Sequence, residues 1–163
     1  MVFRAKAPSV MPKALYGDQL LSNVPVMHYG QGIPLGRLEE MLGVPYSAMV
    51  QMLHRPGRLL SGIPPRLIEQ YRKSPVMHAD ETGRRTDGDN NLAERDLRPT
   101  VIARKVSFGS QSEEGAKTRG ILMTVPHTLK KQFPADYQKR FKDALDGLAQ
   151  NPKPDPYDFL FPS

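Results

Sequence analysis

Two carboxylates lie in segments whose residue types and order could support chemistry. Asp80 belongs to His78-Ala-Asp80-Glu81-Thr82-Gly83, and Glu94 to Asn90-Asn91-Leu-Ala-Glu94-Arg95-Asp96-Leu97-Arg98-Pro99. Carboxylate oxygens are the ligands that Mg²⁺ takes, and an Asp at a strand end can meet a Glu on a helix over one site. Arg95, Arg98, Arg104 and Lys105 follow closely and are suited to neutralising phosphates. Each feature also has a plain reading. Asn91-x-x-Glu94 has the spacing of a capping box, with Glu94 reaching back to the cap residue's backbone. Glu94 can equally pair with Arg98 one turn on. Asp80-Glu81-Thr82-Gly83 is an acceptable strand-ending turn, and the four cations an acceptable solvated face.

Taken in order, the two motifs and the Arg104-Lys105 pair narrow the field. With the Leu-rich helices before them, they resemble the DDE transposases of the insertion sequence sixty-six family. The resemblance spans roughly residues 16–131 and includes Pro34-Leu35 with Arg37 and the Met41-Leu42-Gly43-Val44 step. It implies a ribonuclease-H-like α/β catalytic core in which Asp80 and Glu94 are two of three catalytic carboxylates. Both would be metal ligands, with Mg²⁺ as the cofactor. Two such ions, about 4 Å apart, activate the attacking oxygen and stabilise the leaving one in an in-line displacement at phosphorus. Arg95, Arg98, Arg104 and Lys105 would then be the DNA-binding residues.

The spacing departs from the family. Only thirteen residues, 81–93, separate the two carboxylates, whereas a strand averages about five or six residues and a hairpin turn takes at least about two. In the family this interval holds further strands, helices and the middle Asp. The chain therefore reads as internally deleted between about Asp87 and Asn90. Asp87 and Asp89 sit in the turn itself and are not expected to replace the lost ligand. The family's upstream DNA-binding region, with its cysteine-based zinc site, has no counterpart before Tyr16.

The elements that must hold these residues are short. Sixteen prolines and 13 glycines in 163 residues make the chain turn-rich, and only 7% of it is aromatic. A leader over 1–15 precedes an amphipathic helix at 16–29 that Pro25 should kink or shorten, with His28 a satisfied boundary histidine rather than a ligand. Residues 34–53 resemble a helix-turn-helix. Leu38 and Leu42 face inward, Gly43 supplies the turn, and Tyr46, Ser47 and Gln51, then His54 and Arg55, line the second helix. A structural helix pair is the preferred reading over a groove reader. A Pro- and Gly-rich link at 55–65 and a basic helix at 65–73 with Leu67, Ile68 and Tyr71 inward lead to a strand at 75–80. A helix carrying Glu94, Leu97 and Val101 and a short extended piece at 105–108 follow. Helices at about 113–131, capped by Ser112 and bearing Pro126 as a defect, and at 134–150 precede a Pro-rich tail expected to be extended.

The fold expected is mainly α with a small residual β element, the remnant of a ribonuclease-H-like core. Residues 16–132 form the truncated catalytic-domain remnant, and residues 133–163 a C-terminal helix and tail. The formal charge of +6 and pI near 9.7 favour a polyanionic partner, and the absence of cysteine removes thiolate metal sites and disulfides. No run reaches the roughly 18 apolar residues of a spanning helix, so a cytoplasmic location is expected. The function expected is that of a transposase-family protein, catalytically defective because the middle Asp is missing. DNA and a full-length transposase are the expected partners. The alternative is a DNA-binding or transposase-interacting fragment without catalysis.

Overall fold

The computed structural model describes residues 9–10, 15–73, 98, 101, 112–151 and 155–161. Within them the chain is helical and holds no strand, in keeping with a mainly α fold. The strands expected at 75–80 and 105–108 lie outside the described residues.

Helix α1, Asp18–Pro25, opens with an acid in its first turn, favourable against the positive end of the helix dipole. Pro25 ends it, shortening the α-helix as expected. The Pro ring removes one backbone N–H, and the chain continues as a π-helical turn, Val26–Gly30, in which Gln31 N–H donates to Val26 O at 3.0 Å. This wider turn buries His28 and Tyr29 together.

Helices α2, Leu35–Leu42, and α3, Tyr46–Leu59, form the expected helix-turn-helix. Gly43 sits at φ +63°, the left-handed region that side chains other than glycine rarely adopt, and its N–H closes α2 on Glu39 O at 2.9 Å. Leu38 and Met49 are fully buried, with Val44, Met52 and Leu53 beside them. Leu42 is only half-buried.

The link expected at 55–65 is instead helical. Helix α3 runs through Pro56 and Gly57, and α4, Ile63–Arg72, begins after a three-residue turn with prolines in its first turn, where no intrahelical N–H is required. Gly57 explains why the end of α3 packs well. A Cβ there would stand 3.0 Å from Thr118 Cγ2, so glycine lets α3 approach the next long helix. Ile63 and Leu67 of α4 are buried, but Ile68 and Tyr71 are about half exposed, contrary to the inward placement expected. Helix α4 packs chiefly on one neighbour, and a single contact buries only a narrow stripe.

Helix α5, Glu113–Gln132, is capped by Ser112, whose Oγ accepts from Gly115 N–H. Glu113 and Glu114 occupy its first turn and Lys130 and Lys131 its last, the charge order the dipole favours. Pro126 lies inside it and is buried, with Leu122, Val125 and Leu129 fully covered; Ile121 is half-buried. Helix α6, Tyr137–Gln150, buries Phe141, Ala144, Leu145 and Leu148.

The tail expected to be extended folds back into a short helix, α7, Pro156–Leu160, capped by Asp155. Tyr157, Leu160 and Phe161 enter the core, and Gly147 leaves the space that Phe159 fills. One apolar core joins α1 to α7, with α3 against α5 and α1 against α6 as its main contacts.

Candidate functional site

Asp80 and Glu94, with Arg95, Arg104 and Lys105, lie outside the described residues. Arg98 is described, as an exposed helical residue, and Val101 is helical and 49% exposed. In sequence the two carboxylates lie between the end of α4, with Lys73 as its C-cap, and Ser112, the cap of α5. These two helices pack on each other.

Two polar contacts join α3 to the start of α5. Arg58 of α3 approaches Glu114 at 3.5 Å, and His54 Nδ1 is 3.0 Å from Thr118 Oγ1. His54, which follows the base-reading candidates Tyr46, Ser47 and Gln51 along the second helix, is thus partly committed to the α3–α5 contact. No local sequence signal links two residues 64 positions apart.

Polar groups elsewhere in the core serve the packing. His28 is 8% exposed, and its Nδ1–H donates to Ile33 O at 2.8 Å, as a boundary histidine should. Burial pushes its pKa below the usual histidine value, against the opposing effect of that hydrogen bond. Burial likewise pushes the Tyr29 phenol up to about 12. Asp18, 3% exposed, accepts the Val10 N–H through both carboxylate oxygens at 3.1 Å. Burial raises its pKa, and the nearby Asp146 carboxylate adds to the effect. Asp146 is in turn paired with Lys142.

Among the described residues no group of three or more His, Asp or Glu is placed to hold a metal ion, and no helix is long and apolar enough to cross a membrane. The outer face of α3 exposes Ser47, Gln51, Arg55 and Arg58, Arg58 being the partner of Glu114.

Comparison with curated proteins and with solved structures gives no match. A model of the transposase IS66 family matches residues 13–88 and 83–118, two stretches that overlap at 83–88, beside the turn between the carboxylate motifs. Together they cover well over half of the 163 residues, including both motifs and helices α1 to α4. The chain belongs to the transposase IS66 family.

Proposed function

We propose that this chain is a transposase-family protein in which Asp80 and Glu94 descend from two of the three catalytic carboxylates and which does not complete DNA strand cleavage and transfer by itself. The observation that carries the reading is the interval of thirteen residues, 81–93, between them. A family match that falls into two stretches meeting at 83–88 supports a missing middle. On this reading residues 16–132 are what is left of a ribonuclease-H-like core, and 133–163 form a C-terminal helix and tail, with 1–15 as a leader.

Asp80 and Glu94 are oxygen donors of the kind Mg²⁺ takes, so they would hold the cation in a family site. Its chemistry there is to activate the attacking oxygen and stabilise the leaving one. Two carboxylates leave the set one short. Arg95, Arg98, Arg104 and Lys105 would bind the DNA backbone, which needs only positive charge and gives a salt-dependent affinity. A strand-cleavage assay on element-end DNA with Mg²⁺ or Mn²⁺ tests the reading. Cleavage at background level is expected, and robust cleavage abolished by Asp80→Asn overturns it.

The second reading, attachment to DNA or to an intact transposase without catalysis, is supported by the formal charge of +6 and by a folded helical body bearing Arg37, Arg55, Arg58 and Arg98 on exposed positions. A salt-titrated DNA-binding measurement with a pull-down of a full-length relative tests it. Absence of both interactions at low salt removes it.

A further inference from the structure

We propose that the outward face of α3 reads duplex DNA in the major groove, recognising a short defined sequence. This rests on the second reading above, DNA attachment, and names the surface that carries it; it requires neither Asp80 nor Glu94.

Three observations point to this surface. The first is the shape of the unit. Helix α2, a turn with Gly43 at φ +63° and the 14-residue helix α3 follow one another in the order of a helix-turn-helix, in which the second helix enters the groove. Its inner side is sealed by Leu38, Val44, Met49, Met52 and Leu53, so the pair is a rigid presenter.

The second is the register of the exposed side chains. Ser47, Gln51, Arg55 and Arg58 are all exposed, and at the helical repeat they fall in a stripe about 80° wide. The buried Met49, Met52, Leu53 and Pro56 fall on the opposite side. Gln, Arg and Ser are side-chain types that pair with base edges: Gln with adenine, Arg with guanine, Ser with either.

The third is charge. Arg55 and Arg58 on α3 and Arg37 on α2 are exposed, Arg58 in a solvent-facing pair with Glu114 at 3.5 Å that a phosphate can displace, and the whole chain is basic, which suits a polyanion. The start of α3 is not itself an anion site, because Glu39 Oε1 already accepts the Tyr46 N–H at 2.9 Å. Phosphate contacts therefore fall to the arginines, and base contacts to Gln51 and Ser47.

The test uses the full chain and a library of duplexes with a randomised core. Repeated selection is followed by fluorescence anisotropy on an enriched duplex and a scrambled one across a salt series. A defined sequence should be enriched, and Gln51→Ala should weaken it by about ten- to a hundredfold while leaving affinity for the scrambled duplex within about twofold. Gln51 is exposed, and unchanged far-UV circular dichroism confirms that the variant folds. Gln51→Ala binding the enriched duplex as tightly as the parent overturns the proposal. So does binding without enrichment, which leaves DNA attachment standing. Failure to bind any duplex at low salt overturns the proposal together with DNA attachment.

Discussion

The guanidinium of Arg66 lies 2.6 Å from the Asp155 carboxylate, across 89 residues of sequence, and 4.3 Å from the centre of the Tyr157 ring. Helix α4 thereby holds the cap of the chain's last helix, with Asp158 also near the guanidinium at 3.7 Å.

All three polar partners in this latch are partly exposed, so their ion pairs contribute little, about 0–1 kcal/mol each. The apolar anchors carry the tail. Arg66→Ala should therefore cost about 1–2 kcal/mol at most, whereas Leu160→Ala, which empties a fully buried site, should cost more, about 2–5 kcal/mol. Urea unfolding of the two variants decides between latch and anchor, and a larger loss for Arg66→Ala would contradict the assignment.

A second prediction concerns the close approach of α3 and α5. A Cβ at Gly57 would meet Thr118 Cγ2 at 3.0 Å, with Thr118 Oγ1 at 3.3 Å and Cα at 3.4 Å beyond it. Gly57→Ala should cost about 1–3 kcal/mol through overpacking, offset in part by the better helix propensity of Ala, worth about 1 kcal/mol. Thr118→Ser removes Cγ2 and keeps the oxygen next to His54. In that background Gly57→Ala should be neutral or stabilising. Equal effects in both backgrounds would show that Cγ2 is not the obstacle.

His28 makes the fold sensitive to mild acid. Its folded-state pKa lies below 6.5, so the neutral ring stabilises the fold at higher pH, and that contribution is lost as pH falls below 6.5 towards the folded value. Thermal unfolding midpoints should drop over this range in the parent. His28→Gln, whose amide can still donate to Ile33 O, should drop less. An identical pH profile for the two proteins would exclude His28 as the sensor.

Asp18 acts in the opposite sense. Its folded-state pKa is raised above 3.8, so its contribution is fully present below 3.8 and is lost as pH rises through the folded value. At neutral pH a buried charge remains beside Asp146. Asp18→Asn still offers Val10 an acceptor and adds a donor towards Asp146, so the variant should melt higher than the parent at neutral pH. A lower midpoint would mean that the charge itself is needed to hold residues 9–10.

Much of this body was legible in the sequence. Leu38, Met49, Leu122, Val125, Leu129, Phe141 and Leu145 lie at spacings of three and four and are all fully buried, and Gly43 and Ser112 mark their helix boundaries as expected. Pro25 shortens its helix as expected, but in two other places proline does not break the structure. Pro56 lies within α3, and Pro156 opens a helix instead of extending the tail. There Asp155 followed by Pro156 is a helix-start signature, and Tyr157, Leu160 and Phe161 are the apolar residues that dock it. Ile68 and Tyr71 fit an amphipathic pattern but are exposed, because sequence periodicity does not reveal how many neighbours a helix has. The motifs of Asp80 and Glu94 identified the family, but their mutual geometry depends on contacts among residues outside the described set.

The most direct test of the central claim, that the catalytic pair is one ligand short of a working site, is cleavage of labelled element-end DNA by the purified full chain in Mn²⁺, beside Asp80→Asn and Glu94→Gln. The account predicts no nicked or transferred product above that of the two variants. Product formed by the parent and lost in both variants would contradict it.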